Sequence, residues 1–91
     1  LTSKLQLALS DAQSLALGRD HAYIEPVHVL VAMLKQEEGP KALLLRAGVQ
    51  VPGLTLAAEA ALGRLPQVTG QDQVQVGPEL AKLLPPRRRG P

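Results

Sequence analysis

Two histidines, His21 and His28, are the side chains of this sequence best suited to acid–base or metal chemistry. They stand seven positions apart, outside an HExxH frame, and no carboxylate occupies an offset suited to a shared metal ion. We therefore expect no joint metal site. The sequence predicts that His21 is a connector residue. It predicts that His28, at the start of a helix, is half-buried packing or a helix-capping group.

Other candidates for catalysis are weaker. Ser10 and Ser14 share one helix face with no plausible base beside them, which is typical of solvated polar residues. Glu37 and Glu38 are adjacent acids, but a working acid–base pair needs a cleft that shifts one pKa, so a solvated turn is expected. The chain has no GxSxG elbow, no GxxxxGK[ST] phosphate loop and no cysteine. We predict no catalytic residue, metal site or cofactor, and hence no enzyme.

The positive charge is concentrated at one end. The net charge is +2, from ten Lys and Arg against eight Asp and Glu, and Arg87, Arg88 and Arg89 contribute three of the positive charges. Residues 1–84 are therefore nearly neutral, and residues 85–91 are predicted to be a basic, disordered Pro/Arg tail. Such a tail could contact phosphates weakly, without sequence readout, so a nucleic-acid partner is not expected.

The apolar pattern predicts helices that could position any site. The chain is 45% hydrophobic with one aromatic residue, which suits a helical core of Leu, Val and Ala. A stripe at helical spacing predicts a first helix over residues 2–17, with Thr2 as its N-cap and Gly18 just beyond its end. Further helices are predicted over 26–36, 41–47 and 52–64. The second of these four carries two apolar faces and should be buried on both sides.

A different composition follows the fourth helix. Residues 65–77 are rich in Gln, Val and Gly without helical periodicity, which predicts an exposed loop or linker. A fifth, short helix over Leu80–Leu84 ends at two prolines. Its leucines, Leu80, Leu83 and Leu84, should either dock on the first four helices or remain exposed as a partner site. The abrupt end and the missing initial Met lead us to expect a fragment of a longer protein.

Four segments together resemble one known family. They are LTSKLQLALSDAQSLA over residues 1–16, IEPVHVL over 24–30, LLRAGV over 44–49 and LPQV over 65–68. They are similar to the amino-terminal Clp repeat domain of ClpB-type, ATP-dependent disaggregases. The resemblance covers residues 1–84 and implies an all-α fold, a small helical bundle. Residues 1–64 would be the first repeat of about four helices, 65–77 a linker loop and 78–84 the start of a second repeat.

The resemblance also implies a function. The family's domain engages unfolded or aggregated polypeptides in an apolar groove and passes them to an ATP-driven, hexameric ring in a stress response. It implies that Thr2 handles substrate and that Leu80 and Leu84 line the groove; Leu83 joins them as part of the same apolar cluster. Adaptor or co-chaperone proteins are further partners. ATP would bind in downstream modules absent here.

The resemblance further suggests a cytoplasmic protein, and the fragment itself is expected to be a monomer or weak dimer. No apolar run approaches the roughly 20 residues that span a bilayer, so no membrane partner is expected. Two other interpretations remain open at this point. The chain could be a truncated, non-functional remnant, or it could bind nucleic acid weakly through its Arg tail.

Overall fold

The computed structural model describes residues 3–36, 40–70 and 73–84. Within these ranges the chain forms five helices and two very short strands. The helices are α1 (Ser3–Gly18), α2 (Pro26–Lys35), α3 (Pro40–Arg46), α4 (Val51–Gly63) and α5 (Pro78–Leu83), and the strands are β1 (Tyr23–Ile24) and β2 (Gln75–Val76). The predicted helical bundle is confirmed. Thr2, the predicted turn at Glu37 and Glu38 and the predicted tail at 85–91 lie outside the described residues.

The first two helices pack closely through small side chains. Ala8, Ala12 and Ala16 recur every fourth residue on α1 and are completely buried. Residues four apart lie on the same face of a helix, so these alanines form a flat strip on which α2 can approach. None of the helices in the described ranges has the length and apolarity needed to cross a bilayer.

Helix α2 lies between the two parts of the core, as its two apolar faces predict. On one side, Val29 and Ala32 join the α1 alanines, Ile24 and Leu80 in one buried cluster. On the other side, Val31 packs in a second buried cluster with Ala58 and Leu62 of α4. By contrast, α3 buries none of its residues.

Two helices end in the same hydrogen-bonded turn. At the end of α3, Gly48 has φ +84°, and the amides of Gly48 and Val49 donate to the carbonyls of Leu45 and Leu44. This is a Schellman turn, which requires a left-handed residue and favours glycine there. Gly48 directly follows the helix predicted over 41–47. After α1 the sequence predicted Gly18 in the equivalent position, and this was wrong.

The left-handed residue after α1 is Asp20, with φ 61°. Its amide donates to Leu17 O, and the next amide, of His21, donates to Ala16 O at 2.9 Å. Helix α1 therefore continues through Gly18, and its closing turn sets the position of His21. Aspartate is tolerated in this conformation better than most residues because its short polar side chain can hydrogen-bond locally.

The segment over 65–77 was predicted to be an exposed loop. Its described residues, 65–70 and 73–77, are mostly irregular and exposed, but they also pair with the connector between α1 and α2. β2 runs parallel to β1, with Tyr23 opposite Gln75 and Ile24 opposite Val76. Earlier in the same segment, the Val68 amide donates to Asp20 O, and Gln67 forms an isolated bridge with His21. These contacts attach the chain after α4 to the connector at two points.

The alanine strip predicts that substitutions at two neighbouring positions of α1 change the free energy of unfolding very differently. Ala12→Leu should lower the free energy of unfolding by about 1–3 kcal/mol, because the added methylenes have no space between α1 and α2. Gln13→Leu, one position along on the exposed side, should change it by less than about 0.5 kcal/mol. Urea unfolding followed by circular dichroism measures both values. Equal losses for the two variants would contradict the close packing of α1 on α2.

Candidate functional site

An apolar groove of about 280 Å³ lies between three helices. Its walls come from α1, α2 and α5, and every lining side chain is apolar. They are Leu5, Leu9, Pro26, Val29, Leu30, Met33, Leu80, Leu83 and Leu84. A concave surface without a charged group is suited to binding hydrophobic side chains rather than ions or polar metabolites.

The three leucines predicted from sequence all reach this groove, but in different states. Leu80 is 3% exposed and belongs to the core, whereas Leu83 is 70% exposed. Leu84 is partly buried against the same core cluster as Leu80. The sequence predicted that the three leucines would either dock on the first four helices or remain exposed. In the structure Leu80 docks, Leu83 is exposed and Leu84 is intermediate. Thr2, the fourth predicted site residue, lies outside the described residues.

Sequence reasoning did not assign the other two walls of the groove. Leu5 and Leu9 were part of the apolar stripe of α1, and Val29 and Met33 were part of the second apolar face of α2. The available signal was that α2 had more apolar surface than one neighbouring helix could cover. What the sequence could not show is that α5 returns to this side of α2.

The position of α5 depends on its connection to β1. The Gly77 amide donates to Ile24 O at 3.0 Å, directly before α5 begins. A Cβ atom at Gly77 would stand 2.6 Å from Glu25 Oε1 and 3.2 Å from Ile24 O, so a side chain there would collide with the connector. This close approach places α5 beside the start of α2 and directs Leu80 into the core.

Beneath this junction the two histidines are in direct contact. His21 Nδ1 and His28 Nε2 are 2.8 Å apart, and the residues are 3% and 0% exposed. The Glu25 backbone N–H donates to His28 Nδ1 at 2.8 Å, so the predicted capping role of His28 is confirmed, although the side chain is fully rather than half buried. His21 does lie in the connector, but as a buried residue.

These histidines do not form part of a larger set of ligands. No group of three or more His, Cys, Asp or Glu side chains comes together in residues 3–36, 40–70 and 73–84. Their ring centroids are 5.0 Å apart with the planes tilted by 57°, which is the arrangement of a hydrogen-bonded pair joining two helix ends. We assign the pair a structural role next to the groove.

Comparison with known families gives one match over most of the chain. The profile of the "Clp repeat (R) N-terminal domain" matches residues 1–86. The chain is 49% identical over 86 residues to the chaperone protein ClpB of Pseudomonas putida, covering 92% of this chain and 10% of that protein. It is 51% identical over 84 residues to ClpB of Vibrio cholerae, covering 90% of this chain and 10% of that protein. The chain thus spans about a tenth of the length of these relatives.

A solved structure shares the fold. The chain described as "Peptide from EAEC T6SS Sci1 SciI protein" superposes with a TM-score of 0.80 at 28% identity. The match covers 86% of the present chain and 50% of the solved one. The similarity therefore extends over most of the chain.

The division between core and groove in α5 can be measured. Leu80→Ala should lower the free energy of unfolding by about 2–4 kcal/mol, because it removes a fully buried side chain and leaves a cavity. Leu83→Ala, three residues further along the chain and on the exposed side, should cost less than about 0.5 kcal/mol. Chemical unfolding of both variants gives the comparison. A small loss for Leu80→Ala would mean that α5 does not dock on α1 and α2 in solution.

Proposed function

The chain belongs to the Clp repeat N-terminal domain family and is homologous to the amino-terminal domains of ClpB chaperones, and we propose that it binds unfolded polypeptides through the groove between α1, α2 and α5. The observation that carries this proposal is the uncharged groove itself, which is lined by nine apolar side chains, eight on the three helices and Leu84 directly after α5. Unfolded and aggregated proteins expose hydrophobic segments that folded proteins bury, and such a groove offers them an apolar surface.

The groove combines a fixed base with an accessible rim. Leu80 and Val29 belong to the buried core, so the base is held by packing on both sides. Leu83 stands at the rim with most of its surface exposed, where it can contact a ligand without disturbing the core. Because no polar or charged lining group selects particular side chains, we expect weak binding that tolerates many sequences.

In this proposal the chain acts as the substrate-binding module of a larger cytoplasmic chaperone. ATP binding, ring assembly and disaggregation would belong to parts of the parent protein outside this match, and this chain would have no enzymatic activity of its own. Adaptor or co-chaperone proteins would be additional partners. Thr2 is proposed to contribute at the edge of the substrate site, as the family resemblance implies.

The binding test should alter the rim and leave the core intact. Leu80 is unsuitable because its loss would destabilise the fold, so Leu83→Ser is the informative change. We expect it to weaken binding of a permanently unfolded polypeptide, such as labelled reduced and carboxymethylated α-lactalbumin, by about fivefold to tenfold. Leu56→Ser is the matched control, since Leu56 is 73% exposed on α4 and does not line the groove.

Fluorescence anisotropy measures the dissociation constants of the chain and both variants. Selective weakening by Leu83→Ser supports the groove as the binding site. Equal effects of the two substitutions would indicate general surface hydrophobicity instead. Unchanged affinity in both variants would overturn the site, and absence of binding by the unaltered chain would overturn the proposed function.

Salt distinguishes this proposal from phosphate binding by the Arg tail. Binding of the unfolded polypeptide should change by less than about twofold between 50 and 200 mM salt, because the groove has no charged lining group. Binding driven by phosphate contacts would fall steeply over the same range. Deleting residues 85–91 should leave polypeptide binding intact. Loss of binding on this deletion would assign the interaction to the tail.

A further inference from the structure

The hydrogen bonds of the histidine pair, His21 and His28, determine where its protons lie. The Glu25 backbone N–H can only donate, so His28 Nδ1, 2.8 Å away, must carry a free lone pair. The proton of the neutral His28 ring is therefore on Nε2. Since Nε2 is 2.8 Å from His21 Nδ1, it donates to that atom, and the His21 proton lies on its own Nε2. Both rings are neutral and have the same tautomer.

We propose that this pair is a pH-sensitive contact that holds the end of α1 and β1 against the start of α2 only while both rings are neutral. A proton added to His28 would lie on Nδ1 and point at the donating amide of Glu25. A proton added to His21 would lie on Nδ1 and point at the Nε2–H of His28. In either case two donors would face each other in a buried site, and the contact would break.

The surroundings of the pair oppose protonation. Burial, and then the neighbouring His21 ring, lower the pKa of His28 to about 4. Burial, and then the Arg19 guanidinium, lower the pKa of His21, while Asp20 raises it. A second cavity lies beside His21. The connector lines it with Tyr23 and Glu25, and the chain after α4 lines it only with apolar residues.

The sign of the pH dependence follows from these directions. An unfolded chain would protonate its histidines near the ordinary pKa of about 6.5, whereas the folded chain resists until a lower pH. The folded state therefore binds fewer protons in this window. The pair's contribution to the free energy of unfolding is therefore fully present above about pH 6.5 and is lost progressively as the pH decreases toward 4. Above this window the free energy of unfolding does not depend on pH through the pair.

Breaking the pair would also affect the groove. His28 lies in the first turn of α2, next to the groove residues Pro26 and Val29. β1, which follows His21, holds β2 and the Gly77 amide at the start of α5. Protonation would thus loosen the attachments of two groove walls together. This inference concerns the fold and does not require the groove to bind a polypeptide.

The test compares pH dependence with and without the two imidazoles. The matched variant is His21→Asn with His28→Asn, because an asparagine Oδ1 can take the place of Nδ1 and accept the Glu25 amide without titrating. Between pH 7 and pH 5 the folding equilibrium constant of the unaltered chain should fall about 20-fold from His28 alone. Urea unfolding at each pH should show a much smaller fall for the double variant. Equal falls would overturn the proposal.

A second measurement does not depend on the variant folding. Long-range ¹H–¹⁵N correlation spectra of the unaltered chain report the protonation of each ring nitrogen. At pH 7 we expect both rings to be neutral and protonated at Nε2, with the folded-state signals of His28 persisting unprotonated to pH 5. An Nδ1–H tautomer at either ring, or a charged ring at pH 7, would overturn the proposal. The methyl chemical shifts of Leu80 should move away from their buried, folded-state values as the pair is protonated. Unchanged shifts would overturn the coupling of the pair to the groove.

Discussion

The contact between His21 and His28 joins the closing turn of α1 to the opening turn of α2, and the remaining connections of the fold converge on the same place. The His21 amide completes the turn after Asp20, and the His28 ring caps the Glu25 amide. The pair therefore fixes how α1 and α2 meet the connector between them. Since both rings are buried, each must satisfy its hydrogen bonds within the protein.

The groove follows from this arrangement. The chain after α4 attaches first beside Asp20, through the Val68 amide, and then beside Ile24, through β2 and Gly77. The second attachment delivers α5 to the open side of α2, where Leu80 completes the cluster begun by the α1 alanines. A six-residue helix has little stability of its own, so its orientation is determined by these flanking contacts. The third wall of the groove thus depends on a two-residue strand pair.

How far the sequence predicts this structure depends on how local each feature is. The helices were predictable because periodicity, prolines at helix starts and Gly48 act within a few residues. The β1–β2 pairing was not, since two-residue strands some fifty positions apart carry no alternation to recognise. The same limit explains the burial of His21, which depends on a partner seven residues away and on Gln67 in a later segment. The end of α1 was misplaced for a local reason, because Asp20 rather than a glycine takes the left-handed position of the closing turn. In the groove, periodicity identified apolar faces on α1 and α2 but not which of them would meet α5.

A polar pair at this position achieves something that an apolar pair of similar volume would not. Two leucines would avoid the free-energy cost of desolvating the imidazoles. They would, however, leave the partly buried backbone amide of Glu25 without an acceptor at the start of α2. Apolar contacts are also non-directional, whereas the chain of donors from Glu25 through His28 to His21 is satisfied in one register only. In a core of alanine, valine and leucine with no phenylalanine or tryptophan, few side chains are large enough to define a register by shape. The hydrogen-bonded histidines instead define the register of α1 against α2, next to the point where α5 is attached.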